Sequence, residues 1–324
     1  MKRRNALATI VACLLWPAIV SAQQSKRVPM VGMLITHPPV NDQVVEALRA
    51  GLRQHGYEDG KNIKLEVRTA LGQLDRVPAL AQELVQLKVD VIVVANDPAL
   101  RAVLKATSTI PIVMTGYTDD PTAMGWIESY RRPGKNVTGA FTVNAALIAK
   151  RLELVKEMLP RISRLAVFWD RTFGQGQLAE AQRVGPQLGL RLHPIEVRNP
   201  DELVTAITSA KQAKADALLL VWSPVFYVNR KPIATLAIEA KLPLISDMSS
   251  VTDAGGLFSY GSFGNASFER AGRYIDRLLK GAKPADLAVE QMENIKLVVN
   301  AKTAKALGIK LPESILVRAD EVIR

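Results

Sequence analysis

From residue 28 onward, short apolar runs rich in β-branched residues alternate with longer stretches whose apolar positions recur every three or four residues. The first period marks strands and the second marks amphipathic helices. Strands are expected at 28–35, 63–69, 89–95 and 110–115, with helices at 41–55, 75–87 and 97–106. The run 89–95 holds almost no polar residue. Continuous apolar strands between amphipathic helices are the pattern of a parallel sheet covered on both faces. A segment rich in Gly, Pro and charge, 119–139, breaks the rhythm and is the expected crossover to a second unit. The alternation then restarts. Helices are expected at 145–159, 177–188, 200–213, 228–240, 265–280 and 301–307, and strands at 165–169, 190–197, 217–222, 242–245 and 295–299. Gly281 and Gly308 supply stop signals for two of these helices. The pattern is that of two successive open α/β units.

A different pattern precedes this one. Lys2, Arg3 and Arg4 lead into an apolar run, 6–20, that closes on Val20-Ser21-Ala22. Small residues stand where a signal peptidase reads, so the layout is that of a secretory leader. The run is short and interrupted by Pro17, which argues against a membrane span. The mature chain is therefore expected to begin near Gln23 and to work outside the cytoplasm. That setting removes most ATP-, NAD- and nucleic-acid-dependent functions. The single cysteine, Cys13, lies inside the leader, leaving no disulfide, thiol nucleophile or Cys-based metal site. It sits in the middle of the apolar run rather than at its end, so lipid anchoring is not expected. The whole chain carries +11; the leader holds three basic and no acidic residues, so the remainder carries +8. These charges are scattered among Asp and Glu on helix faces, the arrangement of a solvated surface. No basic stripe interleaves with aromatics, so nucleic acid is not an expected partner.

Open α/β sheets collect their chemistry where loops leave the carboxyl ends of strands. Those ends carry Thr36 and His37 after the first strand, Asn96 and Asp97 after the third, and Thr115, Tyr117 and Asp120 after the fourth. In the second unit they carry Trp169 and Phe173, then Trp222 and Phe226, then Asp247. The aromatic rings are concentrated at these ends, and none occurs between Glu58 and Gly116. Aromatic walls with a few convergent polar groups describe a small-molecule cleft, although rings can also simply cap a sheet edge. Asp97, Asp120 or Asp247 can hold an ammonium group, and helix starts near Asn41 and Asn96 can hold a carboxylate. Helix capping is the competing role for Asp97 and Asn41. His37, His55 and His193 are isolated from one another in sequence, and no pair has metal-ligand spacing. No phosphate-binding glycine loop, zinc motif or nucleophile elbow is present.

Several stretches resemble one family. They are LVQLKVDVIVV (84–94), ATSTIPIVM (106–114), PGKNVTG (133–139), KRLELVKEMLP (150–160), AGGLFSYG (254–261), GAKPADLAVEQ (281–291), LVVNAKTAKALGIKLP (297–312) and RADEVI (318–323). In this order and spacing the chain resembles bacterial ABC-transporter substrate-binding proteins of the tryptophan/tyrosine-binding-like family. Asp120-Pro121 and Thr36-His37 also match motifs of that family, while Lys135 and Thr122 depart from its usual Gly and Val. The resemblance implies the type I periplasmic binding protein fold, two Rossmann-like lobes with parallel sheets and a hinge of several crossovers. It implies that the helix from Asn265 returns to the first lobe. Residues 28–120 plus about 262–282 are assigned to lobe 1, and about 121–261 plus about 283–324 to lobe 2.

The function expected is that of a periplasmic solute receptor without catalytic activity. It captures an amino acid or planar carboxylate by hinge closure and delivers it to an ABC permease in the inner membrane. No cofactor or metal is expected, and the receptor is expected to be monomeric. Two alternatives use the same scaffold. One is an exported hydrolase, which would need a nucleophile–base pair that three separated histidines do not offer. The other is a solute sensor for a membrane kinase.

Overall fold

All six residues of Val91–Asn96 and all four of Ala217–Leu220 are buried. Such strands need helices on both faces, and each sits at the centre of its own sheet. The computed structural model describes residues 27–36, 43–118, 120–143, 147–262, 266–292 and 295–324. The expected leader, residues 1–22, lies outside the described residues.

The first sheet contains β1 (Met30–Ile35), β2 (Lys64–Thr69), β3 (Val91–Asn96), β4 (Ile112–Thr118), β5 (Val137–Val143) and β11 (Glu290–Gln291). Its order is β2-β1-β3-β4-β5-β11, and every pairing is parallel. Side chains alternate across it. Val31, Met33, Val93 and Val113 pack under α1 (Gln43–Arg53) and α10 (Ala266–Leu279). Leu34, Ile92, Val94 and Met114 pack under α2 (Val77–Gln86) and α3 (Asp97–Ala106).

The second sheet runs β7-β6-β8-β9-β10-β12-β13. Its strands are β6 (Arg164–Trp169), β7 (Arg191–Glu196), β8 (Ala217–Leu220), β9 (Leu244–Ser246), β10 (Phe258–Ser262), β12 (Ile295–Asn300) and β13 (Glu321–Ile323). Only the β10–β12 pairing is antiparallel. Helices α4 (Ile148–Met158) and α5 (Gln175–Val184) cover one face, and α6 (Leu203–Gln212) and α8 (Arg230–Glu239) cover the other. The short α7 (Pro224–Val228), α9 (Ser249–Asp253), α11 (Ala301–Ala306) and α12 (Glu313–Arg318) complete the unit. Pro194 sits in β7, an edge strand, where the missing N–H breaks no ladder.

The lobe boundaries differ from those expected. Residues 121–143 stay with the first sheet because β5 pairs with β4, and the segment through β11 stays because β11 pairs with β5. β5 is hidden in the sequence by its composition, VTGAFTV. Gly139 takes φ +131°, and a Cβ there would lie 2.2 Å from the Met114 carbonyl oxygen. The glycine that weakens the strand signal is thus what lets β5 close on β4. The chain leaves the first sheet after β5, returns to it with α10, and leaves it again after β11.

α10 does return to the first sheet, where it crosses α1 with backbone in contact. A Cβ on Gly272 would lie 2.2 Å from the Gly51 carbonyl carbon, and one on Gly51 would lie 2.1 Å from the Glu269 carbonyl oxygen. Leu48, Leu52, Ala271 and Ile275 close the core around this crossing. Among the described residues no helix is long and apolar enough to cross a membrane. Gly272→Ala is expected to force the two helices apart and destabilise the protein by roughly 3 kcal/mol. Urea unfolding of the variant against the parent chain measures this; an unchanged midpoint would refute the close crossing.

Candidate ligand site between the lobes

Both sheets begin with the same strand order. β2-β1-β3-β4-β5 in the first and β7-β6-β8-β9-β10 in the second each reverse direction beside their first strand. The strand ends flanking that reversal open a crevice where doubly wound sheets bind ligands.

In lobe 1 the flanking ends are those of β1 and β3. Thr36 and Asn96 are both buried there, and Asn96 Nδ2 donates to Thr36 Oγ1 at 2.6 Å. Asn96 Oδ1 accepts from the Ala99 N–H at 3.3 Å, so the same side chain caps α3. In lobe 2 the flanking ends are those of β6 and β8. Ser223 Oγ donates to Asp170 Oδ2 at 3.0 Å and accepts from the Val225 N–H at 3.1 Å, capping α7. Each lobe therefore ties its two strand ends with one buried side-chain hydrogen bond, and the helix-capping residue makes that bond.

These two corners face each other. A cavity of 410 Å³ is lined from lobe 1 by Thr36, Gly72 and Leu74, and from lobe 2 by Asp170, Thr172, Phe173 and Val225, among others. Phe173 meets Trp222 edge to face, with centroids 5.5 Å apart at 82°. Arg171 and Arg198 stand on the lobe 2 side, bonded to Glu196 and Glu202 respectively. The lobes also touch directly, where Tyr227 Oη donates to Gln43 Oε1 at 3.1 Å.

The residues expected at the site divide accordingly. Thr36 and Phe173 line the cavity, Asn96 holds Thr36, and Trp222 backs Phe173. Phe226 does not join them: it is 0% exposed in the core under α6 and α8, with its ring 6.4 Å from that of Phe168. Trp169 is half-buried against the core under α4 and α5. Thr115 is buried and donates to the Val94 carbonyl at 2.9 Å, inside the sheet. Asp97 opens α3 behind its cap. Asp247 is buried at the end of β9 and accepts from Ser246 Oγ at 3.2 Å. Tyr117 is placed by its backbone in β4, with its side chain outside the description, and His37 and Asn41 lie outside the described residues. His193 is exposed on β7 and His55 is exposed beyond α1.

Asp120 serves a turn. Its Oδ1 accepts from the Thr122 N–H at 2.9 Å, the Thr122 hydroxyl and the Ala123 N–H at 3.3 Å. Burial works to raise this carboxyl's pKa. Hydrogen bonds from Thr122, Ala123 and Tyr130 outweigh burial and hold it below the ordinary value.

Asp170 and Thr172 line the cavity but were not among the residues expected at the site, although they follow β6 directly. The pairing of Asp170 with Ser223 becomes visible only once the sheet order sets β6 beside β8.

A sequence model of the ABC transporter substrate binding protein family matches residues 29–323. This chain belongs to that family. It is 28% identical over 290 residues to a tyrosine-binding protein of Clostridioides difficile strain R20291, covering 86% of this chain and 80% of the relative. Among solved structures it is similar to an ABC domain from Streptococcus pneumonia in complex with L-Trp. The TM-score is 0.82 at 26% identity, covering 91% of this chain and 99% of the other. A conserved domain protein from Vibrio cholerae O1 biovar eltor gives the same TM-score, 0.82, and 26% identity over 91% and 100% of the two chains. The fold is that of the type I periplasmic binding proteins.

Two predictions follow from these corners of the family member. Asn96→Ala removes both the α3 cap and the tie to Thr36, and should cost about 1–2 kcal/mol in a urea titration. Asp120 is governed by pH. Its folded carboxyl titrates below the unfolded one, so its contribution is complete above the ordinary value of 3.8 and is lost as pH falls through the lower folded value. Asp120→Ala should therefore lose less stability than the parent between about pH 5 and about pH 3; an equal loss would remove Asp120 from the acid response.

Proposed function

We propose that this chain is the extracytoplasmic solute receptor of an ABC importer, carrying an amino acid in the cavity between its lobes. The observation that carries this reading is the facing pair of strand-end corners, which enclose one cavity with contributions from both sheets. A ligand there touches residues of both sheets' units. It can hold them together by binding the closed arrangement better than the open one. The expected leader places the mature protein in the periplasm, and its partners are the solute and an inner-membrane permease. The receptor works as a monomer and performs no catalysis.

An aromatic amino acid is the first solute to test. Phe173 forms an aromatic wall on one side of the cavity and is backed edge to face by Trp222. Flat ligand groups pack favourably on such a wall. Membership of the family and likeness to a tyrosine-binding relative and an L-Trp complex point the same way.

A thermal-shift screen of amino acids, aromatic acids and sugars tests the reading. A true solute at a hundred times its Kd adds about 2.7 kcal/mol to stability and raises the melting temperature. L-Tyrosine or L-tryptophan should be among the hits, and Phe173→Ala should weaken the hit at least tenfold, about 1.4 kcal/mol. A shift produced by sugars alone would refute the aromatic-wall argument. X-ray scattering with and without the hit should show contraction on binding.

A further inference from the structure

We propose that Asp170 is the seat of a ligand ammonium group, so that the solute held between the lobes carries a primary amine. This rests on the receptor reading above, in which the solute is an amino acid, and names the residue that takes its amine.

The argument begins with the two matched corners. In lobe 1 the strand ends are tied by Thr36 and Asn96, both neutral. In lobe 2 the same task is done by Ser223 and a carboxylate. Tying strand ends and capping a helix therefore does not require a charge, yet lobe 2 carries one.

That carboxylate is 8% exposed and lines the interlobe cavity. Its two hydrogen bonds come from neutral donors. Oδ1 accepts from the Thr172 N–H at 2.7 Å, and Oδ2 accepts from Ser223 Oγ at 3.0 Å. A carboxylate has about four lone-pair positions, so two remain open. The cations at hand are engaged elsewhere. Arg171, next in sequence, places Nε and Nη2 on Glu196 at 3.1 and 2.9 Å, and Arg198 bonds Glu202. Among the described residues Asp170 makes no ion pair. A charge almost removed from water without a counter-ion is costly unless something positive joins it. The cavity is the open side from which that partner arrives.

The setting suits an amine on an aromatic body. Phe173, three residues along, lines the same cavity and is buttressed edge-on by Trp222. An ammonium on Asp170 lies beside a ring face that also attracts cations. The carboxylates named from sequence for this role are less suited: Asp120 is committed to its turn, and neither Asp97 nor Asp247 lines the cavity.

The test is calorimetric titration with matched pairs that differ only in the amine: L-tryptophan against indole-3-propionate, and L-tyrosine against 3-(4-hydroxyphenyl)propionate. The parent protein should prefer the amine-bearing member at least tenfold. Asp170→Asn keeps an acceptor for the Thr172 N–H and should erase most of that preference, the amine-bearing member losing far more affinity than its desamino partner. Asp170→Glu should restore part of it. Far-UV circular dichroism and melting of the unliganded variants show whether they fold. If Asp170→Asn does not fold, the preference of the parent protein decides alone. Equal affinity of the parent for both members of a pair, or a preference undiminished in a folded Asp170→Asn, overturns the inference and leaves the receptor reading standing. Absence of binding by every amine and acid tried overturns both.

Discussion

A strand buried on both faces has no side chain available for solvent or ligand, and this constraint organises the whole molecule. In β8 every residue, and in β3 every residue up to Ala95, is committed to the core. Recognition is therefore driven to the strand ends, where the chain turns out of the sheet. There the backbone also needs partners, because a helix starts directly after β3 and four residues after β8. Asn96 and Ser223 meet both needs, capping α3 and α7 while tying adjacent strand ends. A site built on such ends inherits the rigidity of the sheet. It also inherits a shortage of free polar groups, since most are consumed in holding the corner together.

The sequence was most legible where this constraint acts most strongly. Continuous apolar runs at 89–95 and 217–222 located β3 and β8 to within a couple of residues, and α3 was placed at its observed bounds, Asp97–Ala106. Elements with mixed signals were missed. β5 carries a glycine with positive φ and two threonines, and β11 is only two residues long. β5 begins inside the stretch 119–139 that reads as a crossover, and β11 lies beyond the helix stop at Gly281, so the boundary of lobe 1 was drawn too early. The site was legible as a set of places but not as a set of roles. Thr36, Asn96, Phe173 and Trp222 were named because they stand at or just past expected strand ends, yet so do Phe226 and Thr115, which turn into the core and the sheet. Whether a residue past a strand faces cavity or core depends on which strand lies beside it, and that is a long-range fact. Asp170 shows the limit most clearly, since its partner Ser223 lies 53 residues away.

The repeat of one strand order in both lobes has an energetic consequence. Two rigid corners approach each other, and the contacts between them include the Tyr227–Gln43 hydrogen bond. A bond of this kind contributes a net of roughly 1 kcal/mol, too little to hold two lobes shut against the freedom of an open state. In the proposed receptor, closure then depends on what fills the cavity. A ligand shifts the balance only by its difference in affinity for the two arrangements, and a ligand touching both corners has the largest difference available. Tight capture and closure are thus one event.

Charge makes the two corners unequal. Lobe 1 offers neutral groups at its corner, while lobe 2 offers a carboxylate beside an aromatic ring. A cationic group gains most from lobe 2, and it gains this before the lobes meet, because Asp170 and Phe173 follow the same strand. The neutral corner of lobe 1 then adds shape and hydrogen bonding when it arrives. In the proposed receptor such a division would favour docking on lobe 2 followed by closure of lobe 1. As the lobes meet, water leaves the carboxylate and its attraction for the cation strengthens. The strongest polar contact therefore becomes stronger as the cleft shuts, and this is the differential affinity that closure requires.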